Sequence, residues 1–253
     1  MKLRNICSIL LLAAASVASA AQPKVVAHRG FWRAPGSAQN SIASLCKADS
    51  IHCYGSELDV WLSTDGVLFV NHDAVFKGHK IEESSSDQLS KIELDNGEKM
   101  PTLDEYLARA ASLTTRIVLE LKEHSSKDKE TEAVGKIVAM VEKYGLTSRT
   151  DYISFSLHAC KEFKRLAPKG TEVYYLNGEL SPAELKELGF AGLDYSLRTM
   201  KAHPQWIAEA HNLGLLVNVW TVDKQPDLQW LIDNEVDFIT TNEPLLLQQM
   251  LKQ

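Results

Sequence analysis

The sequence predicts an α/β fold, a closed (β/α)8 TIM barrel in a single domain, and three observations lead there. From residue 116 onward, extended apolar segments alternate with amphipathic ones of helical period, the pattern of a parallel sheet covered by helices. Counted from residue 24, the chain holds about eight strand–helix units once a hairpin and loop after the second strand are set aside as an insertion, and that count fits a barrel of this length. No glycine-rich phosphate loop follows any strand, which disfavours the alternative, an open doubly wound sheet. With 253 residues, 45% hydrophobic and 24% charged, the composition is that of an ordinary globular chain, with no linker or low-complexity tract.

The elements follow in order. Lys24 to His28 reads as the first strand, and Asn40 to Ala48, with Ile42, Leu45 and Cys46 at helical spacing, as the first helix. Tyr54 to Leu62 is the second strand. Asp65-Gly66 is a turn dipeptide between apolar runs, so Val67 to Asn71 folds back as a short extended segment. Ala74 to Met100 is polar and weakly patterned, and reads as a long surface excursion. Thr102, with Glu105 three residues on, caps a helix to about Ser112. Strands are then expected at Arg116 to Lys122, Asp151 to Ser156, Glu172 to Leu176, Gly192 to Tyr195, Leu215 to Val222 and Phe238 to Thr241. The helices between and after them span Lys129 to Tyr144, His158 to Leu166, Ser181 to Leu188, Pro204 to Asn212, Pro226 to Asn234 and Pro244 to Leu251.

The first twenty residues are different in kind. Lys2 and Arg4 precede an apolar run from Ile6 to Val17, and Ala18-Ser19-Ala20 supplies the small residues of a secretory cleavage site. The expectation is a signal peptide over residues 1–20, removed after Ala20, with the barrel over 21–253 and a secreted or periplasmic location. The apolar run is shorter than the roughly 20 residues that span a bilayer, so stable membrane insertion is not expected. The full chain has a formal charge of −6, and losing Lys2 and Arg4 makes it more negative still, a poor surface for nucleic acid. Cys46, Cys53 and Cys160 remain after the leader. They read as small buried hydrophobes, with a Cys46–Cys53 bridge as the open alternative.

Polar residues concentrate where the strands end. Val25-Val26-Ala27 runs into His28-Arg29-Gly30, the second strand carries Glu57-Leu58-Asp59, and the apolar run from Val67 leads to Asn71-His72-Asp73. Residues two apart on a strand leave the same face, so Glu57 and Asp59 project together with Cα atoms roughly 7 Å apart, which suits two carboxylates sharing a hard cation. The same alternation puts Glu120 and Lys122 on one face, directed to the lumen, and Asn218 with Trp220 on another, where Trp220 offers an apolar wall to a substrate. Singly, each signal more often marks a solvated strand edge or a packed tryptophan. Together they gather like charges that repel unless a cation neutralises them. A cation flanked by two imidazoles suits phosphate chemistry.

His28-Arg29-Gly30, Glu57-x-Asp59 followed by Thr64-x-Gly66, His72-Asp73, Glu120-Leu121-Lys122 and Trp220-Thr221-Val222 together resemble the glycerophosphodiester phosphodiesterases. The resemblance covers nearly all of the chain after the leader. It implies a (β/α)8 barrel that hydrolyses glycerophosphodiesters to glycerol 3-phosphate and an alcohol with one divalent cation, Ca²⁺ or Mg²⁺. Glu57, Asp59 and Glu120 would be the metal ligands, His28 and His72 the acid and base, and Arg29 and Lys122 phosphate contacts.

Two departures stand out. The family's Pro-Glu-Asn-Thr is Ala38-Gln39-Asn40-Ser41 here, removing one negative charge, and its Thr-Asp-x-Pro is Thr241-Asn242-Glu243-Pro244, read as a loop-capping exchange. Two other functions compete. A phospholipase acting on lipid phosphodiesters calls for an exposed apolar or basic rim, which the sequence does not show. A non-catalytic secreted binding protein draws support only from Gln39.

Overall fold

A computed structural model describes residues 22–252; the predicted leader lies outside them. Eight parallel strands close into a ring: β1 (Lys24–Ala27), β2 (Gly55–Leu62), β3 (Arg116–Leu121), β4 (Thr150–Ser154), β5 (Val173–Tyr175), β6 (Gly192–Ser196), β7 (Leu216–Trp220) and β8 (Phe238–Thr241). Closure runs through β1, which pairs with β8 from Lys24↔Phe238 to Ala27↔Thr241 and with β2 at Val26↔Gly55. That excludes the open sheet.

Helices cover the outside of the ring. Two capped starts match the sequence: Thr102 and Glu105 bond reciprocally before the helix Leu103–Ala110, and Ser181 and Glu184 do so before Pro182–Glu187. A short helix, Leu197–Ala202, was not anticipated; Ser196 ends β6 and caps it at once, leaving no loop to signal the change. Among the described residues, no helix is long and apolar enough to cross a membrane.

Strand alternation divides the apolar residues into two cores. Val25, Ala27, Leu58, Val60, Leu119 and Leu121 face the helices in the larger one. Val26, Val118, Ile153, Tyr174 and Phe238 point inward and plug the lumen. The residues between them on β2 and β3, Glu57, Asp59 and Glu120, also point inward, nearer the carboxyl ends.

The insertion corrects the sequence reading. Leu68–Val70 does pair antiparallel with β2, from Val60↔Val70 to Leu62↔Leu68. The segment after it is more than a surface excursion, because Ile81, Leu89, Ile92, Leu94 and Met100 bury a satellite core against Trp61 and Phe69. Its apolar residues are spread among turns and very short helices, so no period betrays them. Cys46, Cys53 and Cys160 are all free thiols, which closes the disulfide alternative; Cys46 Sγ accepts from Arg109 Nε at 3.1 Å.

Candidate active site

The site begins where β1 stops. Arg29 and Gly30 follow it with φ of +55° and +74°, a left-handed turn that folds the chain back over the end of the strand. Gly30 is required there: a Cβ would lie 2.3 Å from Ser44 Oγ. The turn aims the Arg29 backbone N–H at Glu57 Oε2, 2.7 Å away. Asn40, also left-handed at φ +60°, receives the backbone N–H of Asp59 at Oδ1 (3.1 Å) and donates Nδ2 to Asp59 Oδ2 (2.8 Å).

Glu57, Asp59 and Glu120 come together as the alternation requires, with Asp59 and Glu120 in register across β2 and β3. They are 3%, 1% and 7% exposed. One oxygen from each lies within 4.8 Å of the others, and Glu57 Oε1 is buried without a hydrogen-bond partner. An all-oxygen donor set with an orphaned carboxylate oxygen fits a hard divalent ion. Burial, then the charges of Asp59 and Glu120, push Glu57 well above the usual carboxylate range. Burial and Asp59 push Glu120 up to about 8. Asp59 moves the other way: burial opposes its ionisation, but Lys122, His72 and Arg29 outweigh it.

The two predicted phosphate contacts sit among these acids. Lys122 Nζ lies 2.7 Å from Glu120 Oε1 and 3.3 Å from Asp59 Oδ1, so its ammonium faces the carboxylates. Arg29 Nη1 donates to Gln39 Oε1 at 2.5 Å, and its Nε lies 3.8 Å from Asp59. Gln39 therefore holds the guanidinium against the edge of the acidic cluster.

His28 and His72 line one cleft of about 120 Å³ together with Arg29, Glu57, Glu120 and Lys122. His28 Nδ1 is 2.9 Å from Asn242 Oδ1, which corrects the reading of Asn242 as a loop cap: its side chain backs a histidine of the site. Burial and the Arg29 charge pull His28 down to about 4. His72, at the end of the hairpin strand, is more exposed and bonds Asp73 Oδ1 through Nδ1 at 2.7 Å.

Other residues in and beside the cleft had not been read from the sequence. Phe155 meets Trp220 edge to face, 5.5 Å between centroids, and the two form the apolar wall predicted for Trp220 alone. Trp220 Nε1 donates to the Asp194 carbonyl at 2.8 Å. The Asp194 side chain is buried in the lumen with Oδ1 unpartnered, and burial lifts it to about 7. His124 accepts the Leu62 N–H at Nε2 (3.0 Å), with Nδ1 at 2.7 Å from the Lys122 carbonyl, tying together the ends of the strands that bear the acids. Only strand-end position and alternation signal such residues in a sequence, and Phe155 and His124 lie just past where the strands stop.

The sequence profile of the glycerophosphoryl diester phosphodiesterase family matches residues 28–246, which takes in every site residue above. A glycerophosphodiester phosphodiesterase from Caldanaerobacter subterraneus is 25% identical over 243 residues, covering 90% of this chain and 97% of its own. The crystal structure of a glycerophosphodiester phosphodiesterase from Parabacteroides distasonis is 50% identical with a TM-score of 0.90, covering 91% of this chain and 97% of that one. An Oleispira antarctica phosphodiesterase solved with its product sn-glycerol-3-phosphate shares the fold, with a TM-score of 0.79 at 23% identity over 92% of this chain and 98% of that one. The chain belongs to the glycerophosphoryl diester phosphodiesterase family of phosphoric diester hydrolases.

Proposed function

We propose that this chain hydrolyses glycerophosphodiesters to glycerol 3-phosphate and an alcohol, with Glu57, Asp59 and Glu120 holding one Ca²⁺ or Mg²⁺ and His28 and His72 exchanging protons across it. The observation that carries this reading is the meeting of both imidazoles with Glu57 and Glu120 in one cleft at the carboxyl ends of the strands, with Asp59 clustered against those two acids. Family membership and the product-bound Oleispira relative support the substrate class.

When bound, the ion supplies a Lewis acid that offsets charge developing on a phosphate oxygen. The residues supply the rest. One histidine takes the proton of the attacking hydroxyl, whether from water or the glycerol 2-hydroxyl, and the other protonates the departing alcohol. Arg29 and Lys122 add positive charge beside the phosphate. Phe155 and Trp220 present an apolar wall that limits water at the reacting centre. The secretory pattern at the N-terminus supports a secreted or periplasmic place of action.

Release of glycerol 3-phosphate from a panel of glycerophosphodiesters, with added Ca²⁺ or Mg²⁺ and with chelator, tests the reading. Turnover is expected only with a divalent ion, and His28→Ala or His72→Ala should lower kcat about 100-fold or more while the fold persists. Full activity in either variant, or in chelator, overturns it.

A further inference from the structure

His28 leans on an amide whose orientation is fixed from two other sides. Trp32 Nε1, which can only donate, lies 2.7 Å from Asn242 Oδ1. Asp223 Oδ2, which as a carboxylate oxygen can only accept, lies 2.9 Å from Asn242 Nδ2. Asp223 is itself pinned, its Oδ1 accepting the Asn242 backbone N–H at 2.8 Å and Thr241 Oγ1 at 3.2 Å, and Arg33 stands 3.4 Å from Oδ2. Reversing the amide would set donor against donor at Trp32 and acceptor against acceptor at Asp223. The atom facing His28 Nδ1 is therefore the amide oxygen. A neutral imidazole in that contact carries its hydrogen on Nδ1 and its lone pair on Nε2.

We propose that Asp223 and Trp32, acting through Asn242, are positioning residues that lock His28 in the Nδ1–H tautomer, so that His28 meets the substrate as the proton acceptor. This rests on the acid–base reading of His28 above. In the step, the O–H bond of the attacking hydroxyl breaks, its proton bonds to Nε2, and the freed electron pair goes to the new O–P bond; the P–O bond to the departing alcohol breaks, its electron pair stays on that oxygen, and the oxygen takes a proton from His72. The imidazolium keeps its Nδ1–H on the amide oxygen throughout. The complementary partner is His72, whose Nδ1 lies 2.7 Å from Asp73 Oδ1 and which acts as the donor.

Two variants and one spectrum test this. Asp223→Asn keeps an acceptor for the Asn242 N–H but turns an NH₂ toward the Asn242 side chain, favouring amide reversal and the wrong tautomer. Trapping a catalytic histidine that way costs up to about 10⁴ in rate, and because Trp32 still resists reversal a loss of about tenfold or more in kcat is expected, with KM little changed. Adding Asn242→Asp supplies oxygens that accept from Trp32, His28 and the new amide together, so the double variant should recover to within a few-fold of wild type. If Asp223 served only to tie its loop to residues 241–242, the second substitution would restore nothing. Nitrogen-15 shifts of His28 in the Mg²⁺-loaded protein should show Nδ1–H in wild type and a shift toward Nε2–H in Asp223→Asn. An Nε2–H ring in wild type, an unaltered kcat in Asp223→Asn, or failure of the double variant to recover overturns the proposal. Wild-type turnover by His28→Ala would instead overturn the acid–base reading and leave the tautomer measurement standing.

Discussion

Gly30 shows how tightly single residues are specified around this site. A side chain there meets Ser44 at 2.3 Å from Oγ and 2.7 Å from its carbonyl carbon, in a backbone region that L residues enter at a cost. Gly30→Ala is expected to lower stability by roughly 3 kcal/mol, read as a fall in Tm, and to displace the Arg29 N–H from Glu57. Asp194 makes the opposite case, a group the fold holds at a loss. Its carboxyl is raised to about 7 by burial, so the folded chain binds that proton more tightly than the unfolded one. Its contribution is complete below the ordinary carboxylate range and is lost as pH rises through about 7. Asp194→Asn should flatten that decline in melting curves taken without divalent ions; an unchanged slope would show that Asp194 is not its source. At this scale the sequence was only half legible. Glu57, Asp59, Glu120, His28 and His72 follow from alternation and strand ends, because both are one-dimensional patterns. Asn242 does not, since its contacts with Trp32 and Asp223 depend on loops 210 and 19 positions away in the chain.

Among the elements, the barrel strands and the hairpin strand after β2 were legible, and the packing of residues 74–100 was not. A strand buried on both faces advertises itself by a run such as Arg116–Leu121, whereas residues 74–100 pack through isolated side chains from turns. That segment is clamped to the barrel by Glu82, which accepts from Ser125 N (3.0 Å), Ser125 Oγ (2.6 Å) and Lys129 Nζ (2.9 Å). Burial opposes its charge, but those donors prevail and hold it down at about 2. A depressed carboxylate stabilises above its unfolded pKa and ceases to as pH falls through about 2, so the clamp holds at neutral pH. Glu82→Ala leaves these donors unpaired, and opening of residues 74–100 should become easier by about 1–3 kcal/mol. Hydrogen exchange should register this in the insertion and leave the strands of the barrel unchanged; equal acceleration in both would mean that the insertion and barrel open together.

For the whole molecule, ring closure is what converts scattered motifs into a site. Glu57 and Glu120 are 63 residues apart in the numbering, and β2 and β3 bring them into one cluster because neighbouring parallel strands share a register. The same closure brings β8, with Thr241 and Asn242, beside β1 and His28. Three buried acids with one lysine and one arginine among them remain short of cations, a difference that a bound divalent ion would make up. Anomalous diffraction from crystals soaked in Mn²⁺, a stand-in for Mg²⁺ or Ca²⁺, measures this directly. One peak is predicted at about 2.0–2.6 Å from carboxylate oxygens of Glu57, Asp59 and Glu120 together. A cleft without a peak at saturating Mn²⁺, or a peak bound by other residues, would contradict it.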